Sequence, residues 1–419
     1  MIFGYCLLLN ISFNISLFLC VRSANRTIMI SDFIPDGLVL EILSRLPAKS
    51  IARFQCVSKL WASMLSLPYF TELFLTRTSA QPRLLFAIEK RGSWSFFSLP
   101  QQYEKSSSSL VLAAEYHMKF PPDNMQINIR SNHWFPCVYA SGLIFFYGML
   151  IKEKGHYGVP VICNPITRRY AVLPYLQRYQ MPYTFFGFDP IDKQFKVLLM
   201  DYPFGLDHHK ILTVGKGDMS WRRIKCSLKH SIMSKGICIN GVLYYLGETS
   251  ADNPLIVCFD ISSEKFKFIH RESSCQLINY KGKLGVIYRD YFANDAIELR
   301  VWILEDVEKH EWSKYAYSSR DNKFLAHFDS IVGVTATGEI VLSMADYRFK
   351  QPFYFCYFNP ERNTFQRVYI EGLGEYQRRN HSRVYVFANH VEDLNVNDSN
   401  LLKSSIYAPY VKIEEEEEE

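Results

Sequence analysis

Few side chains in this sequence have the types and spacing that catalysis or metal binding requires. His208 and His209 follow Asp207, but this segment is rich in Gly, Pro and Asp, which predicts a solvated loop rather than a pair of metal ligands. The chain contains no nucleophile elbow, phosphate-binding glycine loop, zinc-protease motif or dinucleotide fingerprint. We therefore predict no catalytic residue, no cofactor site and no metal site.

The cysteines also lack the spacing of a metal site. None of the ten forms a CxxC pair, and several lie within apolar runs, as Cys163 does in Val161–Cys163. A thiol in such a run packs as a small hydrophobe, so the pattern predicts free, buried cysteines in a reducing compartment, the cytoplasm or the nucleus.

Aspartate and asparagine recur in a repeated strand–turn–strand unit, where a structural role is favoured over a catalytic one. Four copies are visible, and proline follows the first, second and fourth of these residues. Such side chains accept hydrogen bonds from backbone N–H groups two residues on, and proline presets the backbone for a turn. The four turn residues are Asn164, Asp189, Asp260 and Asn359.

A second unit is a hairpin with glycine at its turn, at Gly142, Gly241, Gly282 and Gly338. Three of these glycines precede a turn of the first unit by about twenty residues. Together with 15% aromatic residues, the pattern predicts a large all-β domain. A period of about 40–50 residues is typical of propeller blades and predicts six or seven of them, with a β-sandwich pair as the alternative.

The segment 34–70 has helical periodicity instead. Apolar residues at helical spacing form a stripe that should end before Pro47, and two further short helices should span Ser50–Gln55 and begin after the capping residue Ser58, ending before Pro68. Three such helices bury little surface by themselves. The wide stripe therefore predicts contact either with a partner protein or with the rest of this chain.

This segment resembles the F-box. The pattern positions are filled over about forty residues, which is far more specific than a single short motif. Gly37 departs from the pattern, since many F-boxes have an acidic residue there. The matching residues are Ile34-Pro35, Leu38, Glu41-Ile42-Leu43, Arg45-Leu46-Pro47, Lys49-Ser50-Ile51, Arg53-Phe54, Val57-Ser58-Lys59, Trp61 and Pro68-Tyr69-Phe70.

The resemblance implies that the helices dock a Skp-type adaptor and, through it, a cullin. The β region resembles the F-box-associated domain of plant F-box proteins, of the type 1 or type 3 kind, in its Asn-Pro-x-Thr and Gly-Phe-Asp-Pro segments. The two resemblances together imply a non-catalytic subunit of an SCF ubiquitin ligase that binds an unknown target protein. By resemblance, the adaptor-binding or supporting residues are Pro35, Leu38, Ile42, Leu43, Leu46, Pro47, Val57, Ser58, Lys59 and Trp61.

The expected organisation has four parts. Residues 1–28 form an apolar leader, 30–75 the F-box, 82–395 the β domain and 396–419 an acidic tail. Because no basic residue precedes the apolar core of the leader, we favour a start at Met29 over a membrane anchor. A secreted or anchored propeller protein or enzyme is the alternative. The net charge of +5 shows no basic stripe, so no nucleic acid is predicted as a partner.

Overall fold

A computed structural model describes most of the chain from Pro35 onward. The described residues are 35–90, 93–101, 109–121, 125–127, 137–151, 156–174, 183–200, 209–215, 219–291, 297–319, 330–344, 346–347, 353–362, 364–371, 382–394, 401–402 and 404–405. The leader therefore lies outside them, as does most of the acidic tail. None of the helices within these ranges is long and apolar enough to cross a membrane.

The chain begins with four short helices. They are α1 (Asp36–Leu43), α2 (Ala48–Gln55), α3 (Lys59–Leu65) and α4 (Pro68–Ala80). The first three were predicted, and Ser58 caps α3 as expected by accepting a hydrogen bond from the N–H of Trp61 at 3.2 Å. The fourth was not predicted. Pro68 ends no helix but opens one, since a proline in the first turn loses no hydrogen bond.

Six sheets follow, which we number as blades. Blade 1 contains β1 (Arg83–Lys90), β2 (Ser93–Pro100), β4 (Glu115–Phe120), β25 (Asp346–Tyr347) and β28 (Ser382–His390). Blade 2 contains β5 (Met125–Ile127), β6 (Cys137–Ala140), β7 (Leu143–Ile151), β8 (His156–Asn164), β9 (Arg169–Val172) and β29 (Ser404–Ser405). Blade 3 contains β10 (Tyr183–Asp189), β11 (Gln194–Met200), β12 (His209–Val214) and β13 (Trp221–Ile224).

The other three blades have the same plan. Blade 4 contains β14 (Ser231–Ile232), β15 (Ile237–Ile239), β16 (Val242–Glu248), β17 (Pro254–Asp260) and β18 (Lys265–His270). Blade 5 contains β19 (Gln276–Tyr280), β20 (Lys283–Tyr291), β21 (Ile297–Asp306) and β22 (Glu311–Ser319). Blade 6 contains β3 (Ser109–Ala113), β23 (Ser330–Val334), β24 (Ile340–Ser343), β26 (Tyr354–Asn359) and β27 (Thr364–Glu371).

The six blades form a β-propeller. One strand from each blade faces a central channel, and these inner strands contact their neighbours around the ring in the order β28, β6, β10, β15, β19 and β23. This arrangement confirms the predicted propeller, with six blades, and excludes the β-sandwich pair. Aromatic side chains pack between blades, as Phe145 of blade 2 stacks on Phe186 of blade 3 with ring centroids 5.3 Å apart.

The ring is closed by strands from both ends of the chain. In blade 1 the late strand β28 pairs with β1, from Arg83 opposite His390 to Glu89 opposite Arg383. In blade 6 the early strand β3 runs parallel to β27, and in blade 2 β29 pairs with β9. The β domain therefore extends beyond residue 395, because Leu402 is fully buried between blades 2 and 3.

The repeated turns have the predicted chemistry. Gly142, Gly241, Gly282 and Gly338 all have a φ between 81° and 90°, which L side chains rarely adopt. Asn164 Oδ1 accepts hydrogen bonds from the N–H of Ile166 at 2.9 Å and of Thr167 at 3.1 Å.

The other predicted turns close in the same way. Asp189 accepts from residues two and three positions on, whereas Asp260 and Asn359 accept from the third. Asp306 makes an equivalent turn in blade 5, which lacks the proline that marked most of the other copies.

One turn occupies a different place in its blade from the place that the repeat predicts. Asp189 joins the two innermost strands of blade 3, where blades 2, 4, 5 and 6 have the glycine turn. Its carboxylate is fully buried and accepts a hydrogen bond from Ser262 Oγ of blade 4 at 2.7 Å. Burial alone would raise the pKa of Asp189, but the hydrogen bonds from Ser262, Ile191 and Asp192 outweigh it and lower that pKa. The residue is structural, as predicted.

The described cysteines are free thiols, as predicted, whereas one member of the histidine pair differs from its prediction. All eight described cysteines are free thiols, and six of them are buried. His209 is buried at the start of β12, so the solvated loop predicted there is wrong for this residue. Asp207 and His208 lie outside the described residues.

Candidate protein-binding surface

The four helices form a small core that is completed by the propeller. Leu43, Ile51, Leu65, Phe70 and Phe74 are its most buried members, each at most 1% exposed. Two propeller residues, Ile166 and Leu394, belong to the same core. The helices therefore pack on the propeller, which is one of the two alternatives that the wide apolar stripe predicts.

Polar contacts fix the orientation of the helices on the propeller. The N–H of Ala48, at the start of α2, donates to Glu392 Oε2 at 2.6 Å, and the hydroxyl of Thr78 in α4 donates to the carbonyl of Glu392 at 2.8 Å. A carboxylate at a helix N-terminus is favoured by the orphan N–H groups and the helix dipole. Burial raises the pKa of Glu392, although the hydrogen bond from Ala48 opposes that rise.

Helix α4 lies over one mouth of the central channel. Its residues Leu75 and Ser79 line the cavity there, together with the ends of the inner strands. Glu41 of α1 pairs with Arg77 of α4 and, at 3.4 Å, with Arg45. The first and last helices of this unit are therefore linked by charge as well as by the shared core.

The outward side of the helices has an exposed apolar surface, as expected if the stripe contacts a partner protein. Six large apolar side chains are exposed there in the absence of any partner chain. Leu38 is 54% exposed and Ile42 is 42% exposed, and these two are four residues apart on one face of α1. Apolar side chains grouped in this way are typical of a protein interaction surface. The others are Val57, Leu60, Leu67 and Tyr69.

The structure divides the ten predicted adaptor-binding residues into three groups. Leu43 is buried, and Leu46 and Trp61 are half-buried against the helical core. Trp61 stacks on Phe54 with ring centroids 5.6 Å apart, so it holds α2 and α3 together. The remaining seven, which are exposed, are Pro35, Leu38, Ile42, Pro47, Val57, Ser58 and Lys59.

Three of the six exposed large apolar residues were not among those ten. Leu60 occupies the variable position between Lys59 and Trp61, and Leu67 precedes the proline that opens α4. Tyr69 matches the F-box pattern and is 64% exposed. Leu67 and Tyr69 lie at the start of α4, the helix that was not predicted, whereas Leu60 lies in α3.

The central channel is the second candidate site. It encloses a cavity of about 410 Å³ between the inner strands. Within the described part of the chain, no three His, Cys, Asp or Glu side chains are grouped closely enough to hold a metal ion.

Two buried histidines near the helical unit have structural contacts. His390 Nδ1 lies 3.1 Å from the hydroxyl of Tyr139, and His117 Nε2 lies 2.7 Å from Ser98 Oγ. Burial lowers the pKa of His390 to about 3, with a smaller contribution from Arg83. Burial, followed by His390 and Arg83, lowers the pKa of His117 to about 3 as well. Both rings are therefore neutral at physiological pH.

Comparison with known proteins assigns both parts of the chain to described families. Residues 33–73 match the F-box domain, and residues 83–391 match the F-box associated beta propeller domain. An F-box protein of Arabidopsis thaliana is 61% identical over 417 residues, covering 95% of this chain and 91% of the relative.

More distant matches add little. A second F-box protein of Arabidopsis thaliana is 53% identical over 420 residues, covering 90% of this chain and 97% of the relative. Among solved structures, TolB from Acinetobacter baumannii matches with a TM-score of 0.42 and 11% identity, covering 74% of this chain and 67% of TolB. That last likeness is too weak to bear on function.

Proposed function

The chain belongs to the F-box proteins that carry an F-box-associated β-propeller domain, and we propose that it is the substrate-recognition subunit of an SCF-type ubiquitin ligase. In this proposal the helices dock a Skp-type adaptor and, through it, a cullin, while the propeller binds a target protein. Tethering raises the effective concentration of the target near the subunits that transfer ubiquitin. The chain itself then needs no catalytic group.

The observation that best supports adaptor docking is that the helices are buried on one side and exposed on the other. Their inner side is closed against Ile166 and Leu394 of the propeller, whereas Leu38, Ile42 and Val57 remain exposed on the outside. Packing of the helices on the propeller thus buries one side of the apolar stripe and leaves the other side exposed. We assign the exposed residues of the predicted set to the adaptor interface and Leu43, Leu46 and Trp61 to its support.

The firm attachment of the helices to the propeller supports a role in positioning a target. Glu392 connects both α2 and α4 to the end of β28 through hydrogen bonds of 2.6 and 2.8 Å. A rigid connection holds a bound target at a fixed distance from the adaptor. That geometry favours repeated transfer to the same region of the target.

The propeller face that lies away from the helices is the surface that we assign to the target. The glycine turns join the ends of the inner strands to the second strands, and Gly142 lines a small cleft together with Val391 and Ala48 of α2. The inner strands therefore start on the opposite face. Tyr183, at the start of β10, and Met233, before β15, are 38% and 52% exposed.

We further propose that the protein is located in the cytoplasm or nucleus, where its free thiols would stay reduced.

Co-purification of the full chain with a recombinant Skp-type adaptor tests the proposal. We expect the wild type to form a stable complex and the double variant Leu38→Glu, Ile42→Glu to lose it, because two charges would enter an apolar interface. Met233→Glu is the control, since Met233 has a comparable exposure but lies on the other face of the propeller.

The outcome is informative only if the double variant remains folded. Both substituted side chains are exposed in the structure, so the melting temperature should stay near that of the wild type. Absence of wild-type binding, or equal binding by a folded double variant, would contradict adaptor docking through α1.

A further inference from the structure

The central channel contains a cavity with distinct ends. At the end near the helices, Leu75 and Ser79 of α4 close the mouth, and Asn240 and Asn279 bond to the Gly282 backbone. At the other end the inner strands begin, and the wall includes Cys137 and Lys235. The polar side chains at the closed end are thus largely occupied by turn contacts.

Lys235 has an unusual environment at the second end. Its side chain is exposed and lines the channel. Within the described residues, no carboxylate lies within ion-pair distance of its ammonium group, and that group donates no hydrogen bond. The acidic residue that also lines the cavity, Asp393, belongs to the closed end beside α4.

The surroundings of this amine are mostly uncharged. Ile237, Leu277 and Val332 form part of the wall around the channel. Desolvation by the surrounding protein lowers the pKa of Lys235. Cys137 provides no compensating charge, because burial raises the pKa of its thiol far above the usual range. A cation that lines an otherwise mostly uncharged channel and has no partner there attracts an anion, because nothing nearby balances its charge.

We propose that the central channel is a binding site for a compact carboxylate ligand, whose anionic group pairs with the Lys235 ammonium and whose apolar body packs against the channel wall. The cavity of about 410 Å³ is within the range of small-molecule pockets. The ligand enters from the face opposite the helices, since α4 closes the other mouth. This site is additional to adaptor docking and does not depend on it.

Isothermal titration with phenylacetate tests the site, with phenylacetamide as the neutral analogue. We expect the wild-type chain to bind the acid, and to bind the amide with an affinity lower by a factor of roughly ten or more, because the charged hydrogen bond is lost. In Lys235→Met the preference for the acid should disappear. Lys229→Met is the matched control, since Lys229 is an exposed lysine of the segment before β14 and does not line the cavity.

A second pair of probes distinguishes a free organic acid from a carboxylate of a bound protein. The dipeptide acetyl-Gly-Phe is titrated with a free and with an amidated C-terminus. Binding of phenylacetate without binding of either peptide identifies a small-molecule site, whereas preference for the free peptide acid identifies a chain end. If neither acid binds to the wild type, or if Lys235→Met binds both as well as the wild type does, the proposal is wrong.

The unliganded protein provides an independent readout. Because the Lys235 side chain is exposed and its ammonium has no partner among the described residues, Lys235→Met should leave the melting temperature near that of the wild type. Lys229→Met should leave it unchanged. A clear decrease for Lys235→Met would show that the amine is paired within the protein, and the anion site would then be refuted.

Discussion

Two leucines of the same helix should fail in different ways when each is shortened to alanine. Leu38 is 54% exposed and Leu43 is 1% exposed, although they are five residues apart on α1. Leu38→Ala should weaken adaptor binding with little effect on folding. Leu43→Ala should destabilise the protein, because the side chain belongs to the core shared with Ile166 and Leu394.

The magnitudes follow from the exposed fractions. Shortening leucine to alanine removes three carbons, at about 0.8 kcal/mol for each buried carbon. Since about half of Leu38 remains to be buried by the adaptor, Leu38→Ala should cost about 1.3 kcal/mol of binding free energy, which is roughly tenfold in Kd. Leu43→Ala should lower the free energy of unfolding by about 2–5 kcal/mol through the cavity it creates.

Titration calorimetry with the adaptor and urea unfolding of the free protein measure the two quantities separately. We expect Leu38→Ala to change mainly the free energy of binding and Leu43→Ala mainly the free energy of unfolding. If Leu38→Ala changed the free energy of unfolding as much as the free energy of binding, the residue would be a core residue. If it changed neither, the exposed side of α1 would not be the docking surface.

Three further predictions concern the stability of the propeller. Asp189→Ala should lower the free energy of unfolding by about 2–3 kcal/mol, because it leaves Ser262 and two backbone N–H groups without their acceptor. Since the pKa of Asp189 is lowered, part of this difference is present above the ordinary value of 3.8 and is lost as the pH falls through the folded-state pKa, which urea unfolding at a series of acidic pH values measures. Because burial holds the pKa of His117 and His390 near 3, the stability that these neutral rings contribute is complete above pH 6.5 and is lost as the pH falls below it, by up to about 1.4 kcal/mol per pH unit for each histidine. The double variant His117→Gln, His390→Gln should therefore show a shallower decline in melting temperature between pH 6.5 and 4.5, and an unchanged slope would contradict the burial of neutral rings. Deletion of residues 396–419 should cost at least about 2–3 kcal/mol of unfolding free energy in the same denaturation assay, because it removes the fully buried Leu402 and β29.

Much of the architecture is encoded locally and could be predicted. The turns at Asn164 and Asp189 depend on side chains that bond to their own neighbours, and Gly241 provides a backbone conformation that few other residues adopt. Helices α1 to α3 are likewise visible in the spacing of their apolar residues. Helix α4 is not predicted from the sequence, because Pro68 is compatible both with the end of one helix and with the first turn of the next.

The remaining features depend on contacts between distant parts of the chain. No short-range pattern indicates that β28 pairs with β1, or that β3 pairs with β27, because the partners are separated by about 250–300 residues. The same limit applies to the binding surface. Leu38 and Leu43 are the same residue type on the same helix, and only the position of the propeller makes one exposed and the other buried. Lys235 has no motif around it and became a candidate only through the channel.

The closure of the ring by both chain ends sets the order in which the protein can mature during synthesis. Strand β1 emerges from the ribosome about 300 residues before its partner β28, and until then one of its edges is unpaired. The core of the helices also waits for Leu394, and the N–H of Ala48 waits for Glu392. An unfinished chain therefore displays open strand edges, which favour aggregation or capture by chaperones. Only a chain translated through its final strands has the contacts that anchor the helices firmly to the propeller.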